Sequence, residues 1–403
     1  VNIIISTLIF GLGDDYSIFM MDSLLEKYRT GKNNISSARS AVYLSVMTTI
    51  IGLGTLIFAK HPALQSIAAI AILGLVCVVF VSQVLQPFLF NFMIQHRADK
   101  GFMPFTLWSL LKSVFSFLYF FTGCMLVTLA GMILVGLRPF GKTRSKYLFH
   151  YFLSKYTGSV MYIMANVTKR VIKAPDVDFS KPAVYIANHS SFLDILLTTM
   201  LHPKLVLLTN KWVWRSPAFG KIVRMAEYYP VADGAEDSIE PLRDLVNRGY
   251  GIIVFPEGTR SYDDTIHRFH KGAFYIAEAL QLDIVPIVMH GVHYSMQKGD
   301  WLLKNGVSTV KMYPAIKPGD TAYGEGYSQR TKGISRYFKQ EFQKEKAQHE
   351  TPRYFKEQLI KSYIYKGPVL EWYCRVKIAL EDYYEPFHTL LPRSGRFYDL
   401  GCG

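Results

Sequence analysis

A histidine and an aspartate stand five positions apart, as His189 and Asp194, directly after a short apolar run. The apolar run predicts a strand, and the residues from Phe192 onward predict a helix, so the histidine would face a cleft at the strand end. Asp194 would lie in the first helical turn, where the helix dipole favours a negative charge. Its carboxylate could then fix the imidazole tautomer and leave the other ring nitrogen as a base. The alternative is a satisfied surface histidine beside a helix-capping aspartate, and spacing alone does not separate the two.

A second polar run, Phe255–Ser261, follows the predicted strand Gly251–Val254. Gly258 would let the backbone approach a ligand closely, because glycine carries no side chain. The hydroxyl of Thr259, the backbone amides and the Arg260 guanidinium would form an anion-binding loop. The alternative is an ordinary proline–glycine turn with a solvated arginine.

Together these two runs resemble the glycerophospholipid acyltransferase family of the lysophosphatidic acid acyltransferase (PlsC) type, over about residues 160–320. Three further groups share the resemblance, namely Lys211 with Pro217 and Gly220, Phe269–Ala273, and Val285–Ile287. The resemblance implies His189 as general base and Asp194 as the residue that orients it. It implies an acceptor phosphate or polar head bound near Glu257, Gly258, Thr259 and Arg260, and an acyl pocket near Val285–Val288.

One position departs from the family pattern. Members that acylate lysophosphatidate usually carry an arginine shortly after a Pro-Val pair, and Asp233 stands there in this sequence. A carboxylate thus occupies the place of an expected phosphate-binding cation. The acceptor stays open between a lysophospholipid held by Arg260, Lys211 or Lys271, an aminolipid, and another hydroxylated lipid.

The implied chemistry has no covalent intermediate. His189 would take the proton of an acceptor hydroxyl as it attacks a thioester, a step in which general-base catalysis supplies about 10²–10⁴-fold. Backbone amides or Arg260 would stabilise the developing oxyanion. No Gly-x-Ser-x-Gly run is present, so a serine hydrolase acting through Ser190 or Ser191 is not expected. The acyl donor would be acyl carrier protein or coenzyme A, both anionic, with no bound cofactor.

The amino-acid composition indicates where in the cell this chemistry would take place and with which partners. The chain has 403 residues and a net charge of +14, and half of its residues are apolar. Charged residues make up 19%, against roughly 25% in soluble domains, which argues against a disordered or wholly soluble protein. A basic and apolar chain favours an anionic lipid surface over nucleic acid as partner. The four cysteines have neither metal-site nor disulfide-framework spacing.

Four apolar segments approach or exceed the roughly 20 residues of a membrane-spanning helix; they are about 2–21, 43–59, 64–94 and 105–137. Basic residues in 22–42 and 95–104 predict that these loops are cytoplasmic. We expect 105–137 to form a re-entrant or interfacial hairpin broken near Gly123 or Gly131, because the following basic domain then stays in the cytoplasm. The sequence therefore predicts a multi-pass inner-membrane protein with a cytoplasmic catalytic domain.

Two adjacent carboxylates, Asp14 and Asp15, lie inside the first apolar segment. Charge at membrane depth is costly and indicates function, unless both residues lie at the interface end of a short helix. The run Gly11–Phe19 and the helices after it resemble the last three helices of a membrane half in RND/MMPL-type exporters, over about residues 1–95. The resemblance implies proton coupling at Asp15, whereas Asp14 fills a usually apolar position. Three helices do not make a transporter, so any export would belong to a longer polypeptide.

The predicted organisation follows from these patterns. From residue 182 short β-rich runs alternate with helical patterns, which predicts an α/β domain; the PlsC resemblance implies a mixed sheet flanked by helices. The run Phe397–Gly403 resembles the first motif of S-adenosylmethionine-dependent methyltransferases, and no cofactor binding is expected from it alone. The predicted domains are 1–104, partial exporter-like helices; 105–175, a re-entrant or interfacial hydrophobic segment with a basic amphipathic helix over 138–175; 176–325, acyltransferase; 326–392, a helical arm or linker; and 393–403, the start of a truncated methyltransferase-like domain.

The sequence thus predicts a membrane-bound O-acyltransferase of phospholipid biosynthesis, which acylates a hydroxyl of a lysophospholipid or a related lipid. The alternative function, from another class of protein, is transport: the chain would then be part of a proton-coupled lipid exporter, and its acyltransferase domain would modify the exported lipid. A third possibility, a catalytically inactive scaffold, gains support from Asp233 but leaves the two complete catalytic runs unexplained.

Overall fold

A computed structural model describes residues 2–164, 167–217, 219–230, 239–381 and 384–392, with the side chains of 2–6 and 8 left out. The chain divides into two compact units, of which one contains the described parts of Val1–Thr106 and Glu350–Gly403 and the other Leu107–His349. Asp233 and the predicted methyltransferase-like run Phe397–Gly403 lie outside the described residues.

The first unit begins with a series of helices, of which the first three are long. They are α1 (Asn2–Thr30), α2 (Ile35–Gly54, extended by a 3₁₀ turn Thr55–Phe58), α3 (Pro62–Phe80, extended by a π turn Val81–Leu85), α4 (Gln86–Phe90, followed by a π turn Asn91–Gln95) and α5 (His96–Asp99). In the described part of the chain, three helical stretches are long and apolar enough to cross a membrane: Ile35–Phe58, Pro62–Asp99 and Leu107–Leu137.

The second unit begins with α6 (Leu107–Gly131), which continues as a π-helical turn Met132–Leu137, and α7 (Lys142–Ile163). The helix runs unbroken through Gly123 and Gly131, so the predicted hairpin break is wrong. Both glycines instead allow close packing, because a side chain at Gly123 would collide with the Tyr156 ring and one at Gly131 with Phe149. The two glycines therefore mark contacts between helices and not a turn.

The rest of the second unit alternates strands and helices, as predicted. Its elements are β1 (Val167–Lys173), β2 (Ala183–Ala187), α8 (Leu193–Thr199), β3 (Leu205–Leu207), α9 (Lys211–Arg215), α10 (Gly220–Met225), α11 (Ile239–Asn247), β4 (Gly251–Val254), α12 (Gly272–Ala279), β5 (Asp283–His290), α13 (Val292–Ser295), β6 (Gly306–Met312) and α14 (Gly326–His349). The strands form one mixed sheet in the order β1-β6-β5-β2-β4-β3. Strands β5, β2, β4 and β3 are parallel, and β6 pairs antiparallel with β5.

The central strand β2 is buried at all five of its residues, as expected of a parallel strand covered on both faces. It pairs with β4 in the register Val184↔Ile252 to Ile186↔Val254. Because the two strands are parallel, their carboxyl ends meet at the same edge of the sheet, where ligands bind in open α/β sheets. The residues after Ala187 and after Val254 therefore start side by side.

One predicted helical stretch is wrong in its second half. The sequence predicts a helix over 138–175, and the structure has α7 over Lys142–Ile163 but strand β1 over Val167–Lys173. Strand β1 pairs in parallel with β6 along its whole length. A basic segment with β-branched residues can form an exposed edge strand when a partner strand is present, and that partner lies more than a hundred residues away in this sequence.

The predicted arm 326–392 divides between the units. Helix α14 buries Ile334, Phe338 and Phe342 in the core of the second unit, and the Phe338 ring meets the edge of the Phe269 ring at 5.3 Å. The first unit contains α15 (Pro352–Ser362), α16 (Pro368–Leu380) and α17 (Tyr384–Leu390). The domain boundaries drawn from the sequence stay predictions.

Acid sensitivity of the second unit should depend on His150 of α7, whose ring lies 5.0 Å from that of Tyr250. Burial lowers the pKa of His150 to about 4, with Glu227 opposing and Arg248 and Lys146 adding to the effect. Between about pH 6.5 and pH 4, the His150 imidazole binds a proton in the unfolded chain but not in the folded chain. The free energy of unfolding should therefore fall by about 1.4 kcal/mol for each pH unit over this range. The unfolding midpoint of His150→Phe should decline less steeply over this range, and parallel curves for variant and parent would contradict the assignment.

Candidate active site

The predicted pair His189 and Asp194 meets at the carboxyl end of β2. Nδ1 of His189 lies 3.0 Å from Oδ2 of Asp194. The same oxygen accepts hydrogen bonds from the backbone N–H groups of Ser190 and Ser191, at 2.6 and 2.7 Å. The Asp194 side chain is fully buried. A carboxylate that accepts from this nitrogen places the imidazole proton on Nδ1 and leaves the lone pair of Nε2 available as a base.

The His189 ring is held on its face as well as through Nδ1. It stacks on the Phe255 ring with centroids 4.2 Å apart and planes at 17°. The side chain keeps 14% of its surface exposed, so a substrate can still reach part of it. Asp194 and Phe255 together therefore restrict the orientation of the ring.

Glu257 joins the two polar runs through their backbones. Its carboxylate is buried, Oε1 accepts the backbone N–H of His189 at 2.8 Å, and Oε2 accepts that of His267 at 2.8 Å. The backbone N–H of Ser261 in turn donates to the carbonyl of His189 at 2.8 Å. Burial raises the pKa of the Glu257 carboxyl, and the two amide hydrogen bonds counteract that rise. Where the family resemblance implied acceptor binding by Glu257, both of its oxygens contact backbone amides in this structure.

Replacing Glu257 by glutamine should therefore lower both stability and turnover. One amide oxygen can accept one N–H, but the side-chain NH₂ would face the other donor, and an unsatisfied buried amide costs about 1–3 kcal/mol. We expect a lower unfolding midpoint and a kcat reduced about 10- to 100-fold by misplacement of His189. The exposed Glu278 of α12 provides the control, since Glu278→Gln should change neither value. Equal behaviour of the two variants would contradict this role.

The loop after β4 has the glycine that its backbone requires. Gly258 has φ +69°, a left-handed conformation that a side chain strains, and an added Cβ would lie 3.3 Å from the His270 ring. The backbone N–H of His270 donates to the carbonyl of Pro256 at 2.7 Å. The loop is thus fixed at both ends, with Gly258 and Thr259 exposed.

Lys298 supports this loop, a role that no pattern in the sequence indicates. Its Nζ donates to the backbone carbonyl of Arg260 at 2.7 Å and to the Thr259 hydroxyl at 3.3 Å. The same ammonium lies 3.8 Å from the centre of the Tyr262 ring. The carbonyl of Arg260 is therefore held, while its guanidinium makes no hydrogen bond or ion pair with the described residues.

Asn188 is a second residue whose role the sequence did not reveal. Its side chain donates to the carbonyl of Met289 at 2.9 Å and accepts the N–H of the same residue at 2.8 Å. The amide side chain offers the donor and the acceptor that this pairing requires. Ser191 has a similar structural task, because its buried hydroxyl donates to the carbonyl of Met296 at 2.7 Å, which fits the expectation that it is not a nucleophile.

The structure brings together some of the predicted site residues and leaves others apart. The two runs from Asn188 to Asp194 and from Phe255 to Ser261 form one hydrogen-bonded group. Lys211 is exposed at the start of α9, and Lys271 is exposed directly before α12. The contacts that join the two runs are made without these lysines, so their part in acceptor binding stays a prediction.

The mixed sheet thus places His189, Asp194 and the loop of Arg260 at its carboxyl edge. Residues 163–290 match the Acyltransferase family model, and residues 1–109 match the MMPL family model. The fold is similar to the crystal structure of the 1-acyl-sn-glycerophosphate acyltransferase PlsC from Thermotoga maritima, with a TM-score of 0.50 and 19% identity over 59% of this chain and 96% of that one. The predicted α/β fold with a mixed sheet is thereby confirmed.

Relatives with similar sequences are 1-acyl-sn-glycerol-3-phosphate acyltransferases. That of Cocos nucifera is 34% identical over 168 residues, which are 40% of this chain and 53% of the relative. A chloroplastic one of Arabidopsis thaliana is 30% identical over 42% of this chain and 49% of its own length. That of Saccharomyces cerevisiae is 28% identical over 39% and 54%. The chain thus spans about half the length of the curated relatives it matches.

Proposed function

We propose that this chain is a membrane-attached O-acyltransferase, which transfers a fatty acyl group from a thioester to a hydroxyl of a lysophospholipid. The observation that carries the proposal is the contact between Nδ1 of His189 and buried Asp194, beside the loop of Arg260. The Acyltransferase match over residues 163–290 and the relatives named 1-acyl-sn-glycerol-3-phosphate acyltransferases support it.

In the proposed reaction Nε2 of His189 removes the proton of the acceptor hydroxyl. The oxygen attacks the thioester carbonyl, a tetrahedral oxyanion forms, and its collapse breaks the carbon–sulfur bond. The leaving thiolate then takes the proton from the imidazolium, so that a free thiol and a new ester result. Asp194 stabilises the imidazolium while it exists, and general-base catalysis of this kind contributes about 10²–10⁴-fold.

Arg260 is the group we assign to the acceptor's phosphate. Its guanidinium makes no bond to the described residues, and Lys298 fixes the backbone that carries it. A guanidinium binds phosphate through two parallel hydrogen bonds, which a lysine cannot reproduce. Lys211 and Lys271 remain proposed contributors, and the acceptor head group remains open between the alternatives raised by Asp233.

Replacing Arg260 by glutamine should therefore affect charged acceptors most. The KM for lysophosphatidate should rise about 10- to 100-fold, the worth of a charge-assisted hydrogen bond. The KM for monoacylglycerol, which has hydroxyls but no phosphate, should change little. Arg268→Gln serves as the matched control, because Arg268 is exposed and lies on the same connecting segment. An equal loss with both acceptors would show that Arg260 does not bind the phosphate.

The proposal also covers the acyl donor and the location of the protein at the membrane. An anionic thioester of acyl carrier protein or coenzyme A suits a chain of net charge +14. The apolar helices and the MMPL match indicate a membrane protein. We propose that the acyltransferase domain lies on the cytoplasmic face of the inner membrane, so that the acyl chains need not leave the lipid.

The function is tested with the purified protein in vesicles of phosphatidylcholine and phosphatidylglycerol. Acyl-coenzyme A or acyl-acyl carrier protein is added with lysophosphatidate, lysophosphatidylethanolamine or an aminolipid, and products are identified by mass spectrometry. We expect a new ester in an amount equal to the thiol released. Thiol release without any acylated lipid, or no reaction with any acceptor, would refute the proposal.

A second candidate function rests on the MMPL match over residues 1–109. In this unit Asp14 lines a cavity of about 300 Å³ together with Gly13, Ser17, Gly74 and Val78. Asp15, the proposed coupling residue, is exposed on the same helix. If the full-length protein exports lipid by proton coupling, Asp15→Asn should stop export and leave acylation intact. The variant Asp14→Asn then tests whether the cavity residue also takes part in proton coupling. Unchanged export in both variants would refute coupling at this pair.

A further inference from the structure

Helix α16 carries an apolar stripe on its exposed side. Val369, Trp372, Tyr373, Val376 and Leu380 are exposed by 79, 67, 56, 47 and 79%. Counted from Val369, the other four follow three, four, seven and eleven residues later, which places all five side chains on one face of the helix. The opposite face is the one that packs inward, since Cys374 is buried. An isolated exposed apolar residue needs no explanation, but five on one helical face indicate a binding surface.

The segment before α16 is hydrogen-bonded to the last turn of α1, which contains basic residues. Arg29, in the last turn of α1, donates from Nε to the carbonyl of Tyr365 at 3.0 Å. The Tyr365 hydroxyl donates to the carbonyl of Phe105 at 3.0 Å, and its ring packs against the cluster of Leu24, Phe90 and Ile94. Helix α16 thus starts beside the end of α1 and the end of the apolar stretch Pro62–Asp99.

Basic residues flank the stripe. At 100° per residue, Arg375 lies about 115° from the centre of the stripe on one side, and Lys377 lies about 85° from it on the other. This pattern, with tryptophan and tyrosine in the apolar face and cations at its borders, is typical of helices that lie in a membrane interface. A protein partner would not require cations on both borders, whereas anionic head groups would pair with them.

We propose that α16 lies in the interface of an anionic lipid bilayer, with the stripe of Val369, Trp372, Tyr373, Val376 and Leu380 turned toward the acyl chains. The proposal depends on membrane attachment of the first unit and not on the acyltransferase reaction. It gives the segment after the acyltransferase domain a second point of contact with the bilayer, in addition to the spanning helices.

The test uses the whole chain in vesicles of phosphatidylcholine and phosphatidylglycerol. A single cysteine is placed at position 376 (V376C) or, as matched control on the same helix, at position 375 (R375C), in a background whose natural cysteines are replaced by alanine. An environment-sensitive fluorophore is attached, and it is quenched either by nitroxide-labelled acyl chains or by aqueous iodide. Acyl-transfer activity or the unfolding midpoint of each labelled protein confirms that it is folded.

The proposal predicts that the lipid nitroxide lowers the fluorescence at position 376 at least about twofold while iodide has little effect, and that the control at 375 shows the reverse. Quenching of position 376 by iodide alone would overturn it, because the stripe would then face water. Protection from both quenchers would also overturn it, because protein would then cover the stripe. Vesicles of phosphatidylcholine alone should weaken the lipid quenching, since the flanking cations then lack anionic partners.

Discussion

Replacing His189 by alanine should lower kcat for acyl transfer by about 10²–10⁴-fold, the contribution of a positioned general base. The loss should fall on kcat, since the imidazole acts on the reacting hydroxyl, whereas Arg260 is assigned to the head group. Free imidazole added to the variant should restore part of the activity, because the vacated space lies between Phe255 and Asp194, which both remain. Such rescue would distinguish a missing base from a damaged fold.

His267→Ala is the matched control for this variant. His267 is 48% exposed, and only its backbone N–H contacts Glu257, so the substitution keeps that hydrogen bond. We expect its kcat to stay within about threefold of the parent's, as for most changes away from the chemistry. If both variants release thiol from the acyl donor as fast as the parent, His189 is not the base and the proposed mechanism is wrong.

Replacing Asp194 by asparagine should have the second-largest effect, a fall in kcat of about 10²–10⁴-fold at nearly constant KM. The oxygen of asparagine can still accept the N–H groups of Ser190 and Ser191, so the helix start should survive. A neutral amide, however, does not stabilise an imidazolium. Because Oδ2 accepts all three donors, an amide turned with its NH₂ group in that place would instead leave the N–H groups of Ser190 and Ser191 unpaired and force the imidazole proton onto Nε2.

Asp263→Asn is the control for this charge removal. Asp263 is 62% exposed and accepts hydrogen bonds from Thr265, which an amide oxygen also accepts. We expect wild-type kinetics from it. The nitrogen chemical shifts of ¹⁵N-labelled His189 should report a proton on Nδ1 in the parent, and in Asp194→Asn they show which way the amide is turned. An unchanged tautomer together with unchanged kcat would contradict the orienting role.

The sequence predicted the parts of the site that depend on local order. Strand β2 occurs over Ala183–Ala187 as predicted, because a short apolar run before a polar turn suffices to indicate a buried strand. The pairing of His189 with Asp194 followed from the same local pattern, one strand end and one first helical turn. The meeting of the two polar runs followed from parallel neighbouring strands.

Contacts between distant segments could not be predicted in this way. Lys298 lies 38 residues after Arg260, and the pairing of Asn188 with Met289 spans 101 residues. The basic residues of strand β1 also fit the pattern of an amphipathic helix, so the sequence predicts a helix there. Pairing with the distant strand β6 makes the segment a strand instead. Gly123 and Gly131 of α6 suggest a break in the helix, but their small size instead allows close packing against Tyr156 and Phe149. In each case a tertiary neighbour determines the conformation.

The central claim is that one imidazole, oriented by Asp194, faces an acceptor hydroxyl while Arg260 holds the same molecule's phosphate. An experimental structure of the protein in lipid nanodiscs with bound lysophosphatidate tests it most directly. The mechanism predicts the free hydroxyl within about 3.2 Å of Nε2 of His189 and the phosphate on the Arg260 guanidinium. A lysophosphatidate whose hydroxyl lies away from His189, or whose phosphate binds elsewhere, would contradict the mechanism.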